Sequence, residues 1–131
     1  MHALAGSWIA NLEKSRRDPN HQFQRATMRF DITGDRVSLT YGGINHSGRQ
    51  EHGSQVFHAD GQEHPVPEAP GVVAIGTLDP RALQSVATKD GAVVGRAMYS
   101  VSDDGRSMTA TVTGLDASGK TFDQVIVFDR E

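Results

Sequence analysis

The chain contains no cysteine. Disulfides, zinc–thiolate centres and cysteine nucleophiles are therefore excluded. No apolar run approaches the length of about 18 residues that a membrane helix needs, so membrane insertion by a helix is not expected. Cations never cluster beyond the pair Arg16-Arg17, and the net charge is -3 from 13 basic and 16 acidic residues. Phosphate binding requires gathered cations, which removes nucleic acid as a main partner. The opening residues Met1-His2-Ala3-Leu4-Ala5-Gly6 show no charged region followed by an apolar stretch, so no leader is read there. The sequence as written reads as cytoplasmic, or as periplasmic or secreted if a leader has been removed.

Helical periodicity is also missing. The segment from Asn11 to Asn20 is polar and runs into Asp18-Pro19, which predicts a loop with at most one helical turn. Elsewhere apolar and polar residues alternate with a period of two. Met28, Phe30 and Ile32 alternate with Arg29 and Asp31; Val37, Leu39 and Tyr41 alternate with Ser38 and Thr40. Met108, Ala110 and Val112 alternate with Thr109, Thr111 and Thr113. A strand with one dry and one wet face reads this way. Gly34, Asp60-Gly61, Asp79-Pro80, Asp90-Gly91, Asp104-Gly105 and Ser118-Gly119 punctuate the runs, and Asp-Gly between alternating segments is a strong hairpin signal.

Strands are predicted near 6–12, 22–32, 36–44, 49–59, 63–66, 71–78, 82–89, 92–101, 107–115 and 121–129. Consecutive hairpins make a meander, and a meander this long exposes two edges unless it closes. The expected fold class is therefore all-β: one domain over residues 1–131, an antiparallel up-and-down barrel of 8–10 strands. A hydrophobic fraction of 37% suits this architecture, because only alternate residues must face inward. Val125-Ile126-Val127-Phe128 is apolar on both faces; one face is assigned to the interior, the other to contact with the N-terminal segment.

Gly6-Ser7-Trp8 at the start of the first strand resembles the Gly-x-Trp signature of the calycin superfamily. The rest of the chain resembles a group of small bacterial lipocalin-like proteins. The matching stretches are Leu4 to Trp8 with Asn11 to Ser15, Asp60-Gly61 before His64-Pro65-Val66, Lys89-Asp90-Gly91, Val101 to Gly105 with Met108-Thr109, Gly114 to Lys120, and Val125 to Phe128. The resemblance implies a lipocalin-like barrel with a central cavity, in which Trp8 closes one end. It implies no particular function, since this fold hosts binding, transport and catalysis.

Six histidines are available for acid–base chemistry: His2, His21, His46, His52, His58 and His64. Metal binding is not expected, and no cofactor is. His52 and His58 lie about 20 Å apart along a strand, and no His-Glu-x-x-His spacing occurs. If Asp60-Gly61 forms a two-residue turn, His58 pairs with Glu63 and Phe57 with His64, which is no metal site. A Gly-x-Ser-x-Gly elbow is absent, and Gly42-Gly43 lacks the Lys and helix of a phosphate cradle.

The interior carries the functional expectation. Taking the apolar phase as inward, the lining comprises Met28, Phe30, Leu39, Tyr41, Phe57, Val73, Ile75, Leu83 and Met108, with Glu51 and Gln55 in phase with Phe57. Strand 92–101 can present either Val94, Arg96 and Met98 or Ala97, Tyr99 and Val101. Two functions fit. In the first, a small hydrophobic or amphipathic molecule binds in the lumen, contacting Met28, Phe30, Leu39, Phe57, Ile75, Leu83 and Met108 and oriented by Tyr41, Gln55 or Tyr99. In the second, the chain is a cofactor-independent isomerase, cyclase, hydratase or lyase with Glu51, His52, His58, Tyr41 and Tyr99 as candidate acid–base groups. Self-association into a homodimer through an exposed apolar patch is a further expectation.

Overall fold

The computed structural model describes residues 2–16, 22–66, 69–115 and 119–131. Ten strands follow one another: β1 (Gly6–Arg16), β2 (Phe23–Thr33), β3 (Arg36–Asn45), β4 (Gln50–His58), β5 (Asp60–Pro65), β6 (Val72–Asp79), β7 (Ala82–Lys89), β8 (Ala92–Val101), β9 (Ser107–Leu115) and β10 (Thr121–Arg130). They form one antiparallel sheet in the order β4-β3-β2-β1-β10-β9-β8-β7-β6-β5. The first and last strands pair, with Trp8 opposite Arg130 and Ala10 opposite Phe128. The sheet thus curls into a nearly closed barrel whose one open seam lies between β4 and β5. No described helix is long and apolar enough to cross a membrane. The turn expected at Asp18-Pro19, His21 and part of the Ser118-Gly119 turn lie outside the described residues.

The seam corrects one expectation. Asp60-Gly61 is not a hairpin turn, and neither His58–Glu63 nor Phe57–His64 pairs across it. The Ala59 amide instead donates to the Asp35 carbonyl at 2.7 Å, which holds the end of β4 to the β2–β3 turn. Gly61, at φ 77°, sits in the register shift between Asp60 and Glu63 on β5. A glycine in the left-handed region serves a bulge as readily as a hairpin. Pro65 then removes a donor from β5, as an edge strand tolerates.

The polar stretch after Asn11 is a strand, not a loop, as far as Arg16. The ladder between β1 and β10 shifts register between Asn11 and Arg16. There the Ser15 hydroxyl accepts from the Val127 amide at 2.9 Å and donates to the Asn11 carbonyl at 2.7 Å. A side chain supplies what the interrupted ladder lacks, so polarity alone did not mark the end of the strand.

Large side chains fill one half of the lumen. Trp8, Phe30, Leu4, Leu83, Met108 and Val37 are fully buried and form one cluster with Leu39, Val101 and Phe128. The N-terminal segment seals that end. His2 Nδ1 accepts from the Leu4 amide at 3.0 Å, so its Nε2 carries the proton donated to the Asp79 carbonyl at 2.6 Å. The Trp8 indole N–H donates to the Leu4 carbonyl at 2.9 Å. Arg130 lies 4.1 Å over the indole and donates to the carbonyls of Gly105, Ala5 and Ala3 at 2.8–3.0 Å.

The other half is built from small residues. Along the inward phase of β2, β3, β8 and β9 stand Ala26, Gly43, Gly95, Ala97, Ala110 and Gly114, by their pairings. Gly43 is constrained further: a methyl there would overlap the Arg25 backbone at the register shift of β2. Gly43→Ala is expected to destabilise the protein by about 1–3 kcal/mol, because the opposing strand and not a flexible side chain must move. Urea unfolding checks this, and Gly42→Ala, whose new methyl meets its nearest atom at 3.5 Å, is the tolerated control.

Candidate functional site

The small inward residues leave a cavity of about 280 Å³ between β2, β3 and β8–β10. Its apolar lining is Phe23, Met28, Ile44, Val112, Ile126 and Phe128. Ala26, Gly43 and Ala110 make the room, and Tyr41, Asn45, Glu51, Tyr99 and Gln124 supply polar groups. Arg25 borders it as well.

The choice of face on β8 is decided by its neighbours. Tyr99 pairs with Leu83 and Ala110, and Val101 with Met108, all buried, so Ala97, Tyr99 and Val101 face inward. Arg96 and Met98 face out, and Met98 is 42% exposed. Tyr99 stands at the cavity floor, its ring edge-on to Phe30 with centroids 5.4 Å apart. No described residue hydrogen-bonds its hydroxyl, and that oxygen is not sealed off. Burial raises the pKa of the phenol above its ordinary value of 10. The sign follows: a raised folded-state pKa gives stability that is complete below pH 10 and is lost as pH rises through the folded value. In a Tyr41→Phe variant, where Tyr99 is the one remaining tyrosine, phenolate absorbance is expected to develop above pH 10 in the folded protein and to return toward 10 on unfolding.

Tyr41 lies opposite Gly53 on β4. Its ring covers that glycine so closely that a Cβ there would overlap the phenol. Glycine on the edge strand therefore lets Tyr41 lie across the mouth, where it is 46% exposed. Glu51 is the next inward-phase residue of β4, opposite Gly43. It is exposed and accepts from Asn45 Nδ2 at 2.9 Å.

The residues expected at the site divide by height in the barrel and by face. Met28, Tyr41 and Tyr99 border the cavity. Phe30, Leu39, Leu83 and Met108 share the inward phase but are buried in the packed half, where bulky groups leave no lumen. Phe57 packs against that cluster at the seam, within 3.6 Å of where a Gly76 side chain would begin. Gln55 is in the inward phase opposite Leu39 but is exposed on the open edge. Ile75 and Val73 face outward, because Leu78 pairs with the buried Leu83 and fixes the opposite phase of β6 as internal. Strand β6 is apolar on both faces, so alternation could not choose between them.

Among the described residues no histidine borders the cavity. His52 and His58 alternate with Gly53 and Phe57 and so take the outer face of β4. His58 Nδ1 meets Asp35 Oδ1 at 3.0 Å, and His64 Nε2 meets Asp60 Oδ1 at 2.9 Å; the two rings are 6.0 Å apart. Among the described residues no three metal-ligating side chains come together. Of the acid–base candidates, Glu51, Tyr41 and Tyr99 border the lumen, and His52 and His58 do not.

Phe23, Ala26, Ile44, Asn45 and Gln124 escaped the sequence reading; Ala110 and Val112 were read as the dry face of their strand, and Ile126 and Phe128 as one of two faces that could turn inward, without being assigned to the site. A usable signal existed. Glycine and alanine at successive alternate positions, as in Gly95 and Ala97, mark where a barrel lacks the bulk to fill itself once the inward phase is known.

No family model and no curated protein matches the sequence. Solved structures do match. The fluorescent protein UnaG is 16% identical, with a TM-score of 0.66 and coverage of 98% of this chain and 97% of that one. The zebrafish ileal bile acid-binding protein, solved with cholic acid, is 12% identical, with a TM-score of 0.65 and coverage of 98% and 99%. The siderocalin Ex-FABP is 13% identical, with a TM-score of 0.50 and coverage of 98% and 71%. At such identities the likeness shows the fold alone. The chain has the lipocalin-like calycin fold: a ten-stranded antiparallel barrel, packed at one end and hollow at the other.

Proposed function

We propose that this protein binds a small hydrophobic or amphipathic molecule in the open half of its barrel. The observation that carries the reading is the apolar cavity itself, lined by Met28, Ile44, Val112 and Ile126 and carrying an unpartnered phenol at its floor. Apolar pockets with a few convergent polar groups are the usual form of a small-molecule site. The zebrafish protein of the same fold, crystallised with cholic acid, adds support. A proton-transfer reading has less behind it, because the inward-phase carboxylate, Glu51, is exposed at the rim and bonded to Asn45.

Titration with Nile red, an apolar dye whose emission rises out of water, tests the proposal. Saturable uptake at one dye per chain is expected, together with a higher melting temperature. Absence of saturable uptake by the folded protein overturns it. Trp8 is a poor reporter here, since it is fully buried beneath Arg130 in the packed half.

A further inference from the structure

We infer that the ligand presents a neutral hydrogen-bonding group, a hydroxyl or carbonyl, to Tyr99, and that the barrel discriminates against carboxylates. The inference rests on the binding reading above and names the ligand class for that same cavity.

Its basis is where charge stands. Among the described residues no charged or polar residue is fully buried. The charged residues bordering the cavity are Arg25 and Glu51, both exposed. Arg25 borders the cavity at the register shift of β2, opposite Ile44, and stands at the rim. Glu51 has the inward phase, opposite Gly43 and two residues from Gly53 beneath the Tyr41 ring. An anionic ligand therefore passes a cation and a carboxylate that oppose each other at the rim, and among the described residues it finds no buried cation within.

At the floor it meets a phenol, protonated at neutral pH, whose pKa burial raises further. A phenol can hydrogen-bond a carboxylate. One such bond does not replace the water shell of an ion held in a low dielectric without a countercharge. A hydroxyl or carbonyl carries no such penalty: the phenol donates to its oxygen, and a ligand hydroxyl can donate back. Neutral ligands thus gain a hydrogen bond at Tyr99 for a small desolvation cost.

Displacement of Nile red by 1-decanol, methyl decanoate and decanoate at about pH 7.5, where the acid is ionised, separates the possibilities on one alkyl chain. The two neutral compounds are expected to displace the dye at least about tenfold more effectively than decanoate. Tyr99→Phe is expected to reduce that advantage severalfold for decanol, with each competitor's affinity referred to the variant's own affinity for the dye. Glu51→Lys, a change on an exposed edge, is expected to improve decanoate severalfold by placing a cation at the rim. Decanoate competing as well as decanol in the unaltered protein overturns the charge rule while leaving the binding reading intact. Failure of the dye to bind at all removes both.

Discussion

Replacing Trp8 with alanine is expected to cost about 3–5 kcal/mol of stability, as loss of a large buried aromatic does. For a domain of this size that corresponds to a melting temperature lower by roughly 12–20 °C. The indole is fully buried, its N–H donates to Leu4, and its face supports the Arg130 guanidinium. Removing it hollows the packed end and leaves both partners without their contact. Arg130→Met keeps much of the aliphatic stem but loses the hydrogen bonds to Gly105, Ala5 and Ala3. Because those groups are exposed to water, the smaller cost of about 1–2 kcal/mol is expected. Differential scanning calorimetry measures both. Neither substitution touches the cavity, so any Trp8→Ala protein still folded at low temperature should take up Nile red with unaltered affinity. Loss of uptake without loss of stability would mean that the two halves of the barrel are not separate in function.

The second large effect is expected on binding. Val112 lines the cavity from β9, opposite Ala97 and Gln124. Val112→Trp projects an indole into the space that the small residues leave free. Nile red uptake should weaken by at least tenfold, a loss of about 1.4 kcal/mol or more of binding free energy. Stability should change far less, because the added side chain enters a void and not a packed core. Thr111 is the next residue and points to the outer face. Thr111→Trp adds the same bulk to the same strand and is expected to leave uptake unaltered. Equal losses in the two variants would place the dye outside the lumen.

Legibility of the fold in the sequence tracks how local its cause was. Alternation of Met28, Phe30 and Ile32 against Arg29 and Asp31 marks β2 without reference to any other strand, because the pleat alone imposes it. The same holds for β3 and β9. The β1 extension past Asn11 was hidden because Ser15, a polar residue, supplies the missing hydrogen bond to a strand far along the chain. The Asp60-Gly61 dipeptide carries turn chemistry that a hairpin and a bulge both use, and only the bond from Ala59 to Asp35 selects the latter.

The candidate site was legible in part for the same reason. Met28, Tyr41 and Tyr99 lie in strands whose phase or aromatic character drew notice. Ala26 drew none, and Ala110 and Val112 read as a dry face without being placed at the cavity, because small residues mark a void only once the opposing strands are in place.

Composition and order of residues alone determined that this chain forms an antiparallel meander of about ten strands, and that its first and last strands meet. Those features follow from period-two alternation and short turns, which act over a few residues. Tertiary structure decided the rest: which face of β6 and β8 turns inward, where the seam opens, and which half of the lumen stays empty. Each depends on the pairing of residues distant in sequence, as when Leu83 commits both Leu78 and Tyr99 to the interior, and no local pattern carries that information.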